Sequence, residues 1–123
     1  MKRTTAYFAL LTLVCVSVIG CTRQVRTSNA VSGVAHGSTR RGEKTRHIVD
    51  AKAGQTLDVN ITSDENNAVF QVYLPGENGT LPGAGEMDDA TKFSGKIPTD
   101  GRYLIAVGST RGNATYKLDY SVK

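Results

Sequence analysis

Apolar and polar residues alternate with a period of two along most of the chain beyond residue 30. In residues 55–62 every second side chain from Leu57 to Ile61 is apolar, and residues 116–122 repeat the pattern. This alternation is typical of a β-strand that buries one face. Residues 103–107 are apolar throughout, which predicts a central strand covered on both faces.

Further patterns predict four more strands, and the first two of these patterns are the weakest. These strands lie within residues 31–39 and at residues 45–51, 68–74 and 91–97. Turn-forming sequences separate the strands, at residues 53–54, 64–67, 99–101 and 111–113. One long connection, residues 75–90, is rich in glycine, and no stretch of the chain has helical periodicity. The sequence therefore predicts an all-β domain of about seven strands, either a small antiparallel β-sandwich or a flattened barrel.

The N-terminal segment has the features of an export signal. Lys2 and Arg3 precede an apolar run over residues 6–19, which is the order found in secretory signals. The run ends in residues 18–21 (Val-Ile-Gly-Cys), which resemble the lipobox of bacterial lipoproteins. That resemblance implies cleavage before Cys21 and attachment of lipid to its thiol. The alternative is an ordinary signal in which the cysteine is incidental.

The predicted signal divides the chain into three parts. Residues 1–20 are removed, residues 21–30 form a polar tether, and residues 31–123 form the β-sandwich domain. Thr22 follows the cysteine, whereas Gram-negative lipoproteins kept at the inner membrane usually have an aspartate there. The resemblance therefore implies an outer-membrane lipoprotein facing the periplasm. The chain would contact the membrane through the lipid on Cys21.

Charge is unevenly distributed along the mature chain. The whole chain carries a formal charge of +4, yet residues 21–47 carry +5 and residues 48–123 carry −3. The tether arginines either lie near anionic head groups or belong to a solvated linker, and both alternatives stay open. Nucleic acid is a poor candidate partner, because the chain is exported and its basic residues are not interleaved with aromatic ones.

The sequence offers little for catalysis. Cys15 leaves with the signal and Cys21 carries lipid, so no thiol remains as nucleophile or metal ligand. His36 and His47 lie eleven residues apart without a paired ligand motif, and the acidic pair at residues 88–89 does not match a calcium loop. No catalytic residue, metal site or cofactor is predicted. A binding protein that is not an enzyme is expected, with its function on loops at the strand ends.

Two segments carry a family resemblance. Residues 51–59 (Ala-Lys-Ala-Gly-Gln-Thr-Leu-Asp-Val) resemble the Ala-Lys-x-Gly-Gln-x-hydrophobic-x-Val segment of periplasmic lysozyme inhibitors of the invertebrate-type and goose-type families. Residues 100–118 resemble their closing hairpin, which begins with a Ser-Gly-x-Tyr motif. Asp100 replaces that serine, while Gly101 and Tyr103 match. Bacterial pre-peptidase C-terminal β-sandwiches share the Ala-x-x-Gly-Gln start and the Gly-x-Tyr strand, and are the competing resemblance.

The resemblance implies that the chain binds and inhibits a lysozyme by inserting a surface loop into the active-site cleft. Candidate contact residues flank the strand at 103–107: Gly101, Arg102 and Tyr103 at one end, and Ser109, Arg111 and Asn113 at the other. The resemblance points to the first group, the Gly-x-Tyr turn. The loop chemistry favours the second group instead, because a narrow loop with a cationic tip suits a cleft lined with carboxylates. The alternative is a generic envelope module that binds protein or peptidoglycan without inhibition. The oligomeric state stays open, a homodimer included.

Overall fold

The computed structural model describes residues 31–123, and the predicted signal, lipobox and tether lie outside the described residues. Seven strands are present, as predicted. They are β1 (Val31–Thr39), β2 (Thr45–Ala51), β3 (Thr56–Ser63), β4 (Ala68–Tyr73), β5 (Lys92–Lys96), β6 (Gly101–Ser109) and β7 (Ala114–Val122). A four-stranded sheet has the order β1-β7-β3-β5 and a three-stranded sheet the order β2-β6-β4. All pairs are antiparallel. The two sheets form a sandwich and do not close into a barrel.

The predicted faces of the strands are confirmed. On β3, Leu57, Val59 and Ile61 point into the core, with at most 5% of their surface exposed. Strand β6 is the centre of the three-stranded sheet, and its residues from Tyr103 to Gly108 are all buried. Burial on both faces explains why this stretch has no polar alternation.

Side chains from both neighbours cover the outer face of β6. Arg46 of β2 pairs with Glu77 of the long connection, with Nη1 and Oε1 3.1 Å apart. The Tyr73 hydroxyl donates to Glu86 at 2.7 Å, and the Lys44 ammonium lies 3.4 Å from the same hydroxyl. Because these groups join the two sides of the sheet above β6, the face is shielded without a covering helix. Within residues 31–123 no helix is long and apolar enough to cross a membrane.

The long connection runs beside β4 instead of projecting into solvent. It contains a single turn of 3-10 helix, Pro75–Glu77. The backbone N–H of Phe70 donates to the Ala90 carbonyl at 2.9 Å, and that of Val72 donates to Ala84 at 3.0 Å. These bonds satisfy the outer backbone groups of β4, which protects a sheet edge that would otherwise be open to pairing.

One side of the sandwich is closed by a polar contact between the sheets. His47 Nε2 of β2 lies 2.7 Å from the Tyr116 hydroxyl of β7. A Cβ on Gly37 would lie only 2.6 Å from that hydroxyl, so glycine leaves room for the tyrosine ring. Burial lowers the pKa of His47 below its usual 6.5.

The sandwich has two loop ends, which are named here by their candidate residues. The Arg111 end consists of residues 40–44, 64–67 and 110–113, and the Gly101 end of residues 52–55 and 97–100. The two ends lie at opposite ends of β6, as predicted. This strand has nine residues, so at about 3.4 Å per residue the ends are about 27 Å apart.

Candidate functional site

The loop at residues 110–113 is held in place by one buried asparagine. Asn67 is 1% exposed, and its side-chain amide donates to the backbone carbonyls of Arg111 and Asn113, both at 2.9 Å. The Thr110 N–H in turn donates to the Asn67 carbonyl at 2.9 Å. Because a buried amide satisfies two loop carbonyls at once, the loop has a defined shape before any partner binds.

The Arg111 side chain is exposed at the tip of this loop. Its Nη2 donates to the Glu65 backbone carbonyl at 2.8 Å, which aligns the guanidinium along the neighbouring turn. A guanidinium has five N–H donors, so one such bond leaves donors for a carboxylate. The arrangement can present a cation of fixed orientation to an acidic partner.

Ser109 and Asn113 shape the loop from within. The Ser109 hydroxyl donates to the Gly112 carbonyl at 2.6 Å, and Gly112 has a positive φ of 58°. The Asn113 Oδ1 accepts the Arg41 backbone N–H at 3.2 Å, which joins the loop to the turn between β1 and β2. Both side chains therefore position the arginine, and the Ser109 hydroxyl proton is already used within the loop.

At the Gly101 end, the turn before β6 is built around a buried tyrosine. Tyr103 has no exposed surface, and its hydroxyl donates to the Thr99 carbonyl at 2.7 Å. Gly101 adopts a φ of 150°, and a Cβ there would lie 2.6 Å from Pro75 Cγ. The Gly-x-Tyr sequence thus fixes the turn by a buried hydrogen bond and a close backbone approach. Tyr103 can affect a partner only through the turn that it shapes.

Arg102 is the exposed cation of the Gly101 end. Its Nε lies 3.6 Å from Asp50 Oδ1, in a pair whose side chains are 78% and 79% exposed. Asp100 accepts the Ala53 backbone N–H at 2.7 Å and therefore fastens two turns together. A groove of about 430 Å³ beside Arg102 is lined in part by Ile48 and Leu104. The groove lies on the outer face of the three-stranded sheet and not on the turns of the Gly101 end.

The six candidate residues thus form two groups and not one site. Ser109, Arg111 and Asn113 lie together, whereas Gly101, Arg102 and Tyr103 lie across the length of β6. A wide groove of about 940 Å³ crosses the four-stranded sheet, and none of the six candidates lines it. Sequence reasoning missed Asn67, which it treated only as part of a polar turn. The available signal was an asparagine placed directly before an apolar strand.

The histidines and acidic residues do not form a metal centre. His47 contacts Tyr116, while His36 is exposed on β1. Across residues 31–123, no group of three or more His, Cys, Asp or Glu side chains could hold a metal ion. In the acidic connection, Asp88 accepts the Gly85 N–H at 2.7 Å, so its carboxylate stabilises a turn.

The fold and the loop geometry define a class of protein: a small β-sandwich that presents preformed polar loops for binding. Comparison with solved structures narrows this class. The chain is similar to Aeromonas hydrophila PliG, a periplasmic lysozyme inhibitor of g-type lysozyme. The sequence identity is 29%, the match covers 77% of this chain and 89% of that one, and the TM-score is 0.62. The resemblance predicted from the sequence is thereby confirmed on the goose-type side.

Two further structures share the fold. A mutant of the g-type lysozyme inhibitor PliG from Escherichia coli matches with 22% identity over 78% of this chain and 91% of that one, at a TM-score of 0.57. Salmonella Typhimurium PliG, a periplasmic lysozyme inhibitor of g-type lysozyme, matches with 20% identity over 75% of this chain and 87% of that one, also at a TM-score of 0.57. No protein-family model and no curated protein sequence matches the chain. Because the similar structures are inhibitors, the comparisons support a binding protein and not an enzyme.

Proposed function

We propose that this protein is a lipid-anchored inhibitor of goose-type lysozyme in the bacterial periplasm. The observation that carries the proposal is the similarity to the Aeromonas hydrophila inhibitor over 77% of this chain. The Arg111 loop enters the active-site cleft, and its guanidinium hydrogen-bonds a carboxylate that otherwise acts on the sugar substrate. The loop blocks substrate sterically and needs no chemistry of its own.

The preformed loop supports this mechanism energetically. Ordering a mobile loop on binding would cost about 0.5–1.5 kcal/mol for each immobilised side chain. Here Asn67 holds the loop through two hydrogen bonds, so much of that cost falls on folding instead of on binding. Inhibition of an enzyme present at low concentration needs tight binding, which a rigid loop favours.

The point at which the described domain begins favours the Arg111 end over the Gly101 end. Strand β1 begins at Val31, which pairs with Val122, and Val122 also pairs with Leu57 near the Gly101 end. The nine residues of β1 then place the Arg111 end about 27 Å from the start of the domain. In this proposal the tether joins the domain at Val31, so the Arg111 end is the one farther from the point of attachment, which favours access by a soluble lysozyme.

The acidic connection has a smaller role in this proposal than its charge implies. Glu77 is paired with Arg46, and Glu86 accepts the Tyr73 hydroxyl. These carboxylates hold the connection against the sheet, and they contribute to long-range attraction of a basic enzyme only through their net charge. Steering would change the association rate more than the lifetime of the complex.

The experiment is an inhibition assay with residues 22–123, tested against goose-type, invertebrate-type and chicken-type lysozymes on a bacterial cell-wall suspension. Goose-type lysozyme should be inhibited at near-stoichiometric ratios. Inhibition of none of the three would leave the generic envelope module, which binds peptidoglycan or protein without inhibition, as the better hypothesis. Sedimentation of the fragment with purified peptidoglycan tests that second hypothesis directly.

Paired substitutions decide between the two ends. Arg111→Ala should weaken goose-type lysozyme binding by about 1.5–3 kcal/mol, because it removes a charged hydrogen bond from a desolvated cleft. Arg102→Ala should cost less than about 0.5 kcal/mol, as for an ordinary exposed residue. Titration calorimetry measures both, with circular dichroism as the control for folding. The reverse order would assign binding to the Gly101 end.

A further inference from the structure

A second pair of exposed arginines lies at the Arg111 end. The turn between β1 and β2 contains Arg40 and Arg41, both exposed. In the described part of the chain, ion pairs involve Arg46, Arg102 and Lys117, and neither turn arginine takes part in one. Two adjacent guanidinium groups therefore face solvent without a carboxylate partner.

The turn that carries these arginines is closed by its own hydrogen bonds. The Glu43 N–H donates to the Arg40 carbonyl at 3.0 Å, and the buried Thr39 hydroxyl donates to the Glu43 carbonyl at 2.9 Å. The Arg41 backbone N–H donates to Asn113 Oδ1 at 3.2 Å. The arginine turn and the Arg111 loop are thus one connected edge, although 72 residues separate the bonded pair.

Strand order places the Arg111 loop between two turns of opposite charge. Strand β7 lies between β1 and β3, and β6 lies between β2 and β4. The loop that joins β6 to β7 is therefore flanked on one side by the arginine turn, residues 40–44. On the other side lies the turn at residues 64–67, which contains Asp64 and Glu65. Across this end of the sandwich the charge therefore changes from basic at the arginine turn and the Arg111 loop to acidic at the turn of residues 64–67.

We infer that Arg40 and Arg41 form a second cationic arm of the lysozyme-binding surface and set the orientation of the inhibitor on the enzyme. The inference rests on the proposed function. While Arg111 occupies the cleft, the two turn arginines contact carboxylates on one rim. The acidic turn then faces the other rim, where it favours a basic or neutral surface. A reversed orientation would place like charges together, which opposes binding.

The test uses the full chain, extracted in detergent, in surface-based kinetics with goose-type lysozyme at low and high salt. The double variant Arg40→Ala, Arg41→Ala keeps both backbone bonds of the turn, because only side chains are removed. Its matched control is Lys52→Ala, Lys96→Ala, which removes the same charge from exposed positions in and next to the Gly101 end. Thermal melts establish that both variants are folded.

The double arginine variant should raise the Kd for lysozyme about tenfold and reduce the dependence of association rate on salt, because two close charges are lost. Replacing both arginines by glutamate should weaken binding further. The lysine control should change Kd by less than about twofold. Equal effects of the two double variants would overturn the inference while leaving inhibition intact. Failure of the unaltered chain to bind lysozyme would overturn the inference and the proposed function together.

Discussion

Removing the Asn67 side chain is expected to loosen the Arg111 loop and destabilise the whole domain. Asn67→Ala abolishes two hydrogen bonds of 2.9 Å and leaves the Arg111 and Asn113 carbonyls without their buried donor. Each lost bond costs about 1 kcal/mol net, and more where a buried carbonyl stays unsatisfied. The expected loss is therefore about 2–4 kcal/mol, a large part of the 5–15 kcal/mol typical of a domain.

The isosteric change Asn67→Asp separates hydrogen bonding from packing. An ionised aspartate has the same shape but would direct a carboxylate oxygen at two carbonyl oxygens. Its melting temperature at neutral pH should be lower than that of Asn67→Ala. Acidification should restore part of the loss, since a protonated carboxyl can donate one hydrogen bond.

Thermal unfolding followed by circular dichroism measures these effects. For a domain of this size, a loss of 2–4 kcal/mol lowers Tm by roughly 10–20 °C. Asn78→Ala, at an exposed position of the long connection, is the control and should melt within about 2 °C of the unaltered protein. If Asn67→Ala melts as the control does, the side chain does not brace the loop and the preorganisation argument fails.

Three further predictions test the register, the contact between the sheets and the anchor. Ile61→Asp should cost several kcal/mol of unfolding free energy, because it buries an unpaired charge at a position only 5% exposed. Asn60→Asp should change the melt little, since this residue faces outward between Lys92 and Asp119; equal melts would refute the register. Burial lowers the pKa of His47 below 6.5, so its contribution to stability is present above pH 6.5 and is lost as pH falls through 6.5 toward the folded-state pKa. Between about pH 7.5 and pH 5 the fall in Tm should therefore be smaller in His47→Gln, and an unchanged fall would contradict this sign. Cys21→Ser should abolish incorporation of a palmitate analogue in growing cells, and label retained in that variant would disprove the lipobox.

The Gly-x-Tyr sequence has a structural role in the turn before β6. Gly101 is required by its positive φ and by the approach of Pro75, and Tyr103 is fully buried with its hydroxyl on Thr99. Both residues are thus needed for folding of the turn. These roles in folding do not decide whether the turn contacts lysozyme, which the Arg102→Ala measurement tests.

The sequence by itself determined the strands, because the order of apolar and polar residues along each strand reflects which of its faces are buried. The alternation from Leu57 to Ile61 and the apolar run of β6 follow from local contact with one or two covered faces. The all-β class followed from such local patterns, with a sandwich and a flattened barrel left as alternatives. The resemblance to lysozyme inhibitors followed from the segments at residues 51–59 and 100–118. The turns were equally readable, since glycine and asparagine act on the backbone next to them.

Only the tertiary structure decided what the loops can do. Asn67 and Arg111 are 44 residues apart. The pattern of apolar and polar residues gives no sign that the buried amide of Asn67 contacts two carbonyls so far along the chain. The same is true of Arg41 and Asn113, which are joined because β1 pairs with β7. Strand order also placed the basic turn on one side of the Arg111 loop and the acidic turn on the other. The sequence identified the charged residues of the loops. Their arrangement in space depends on pairing between strands that are distant along the chain, so only the packing of the two sheets determined it.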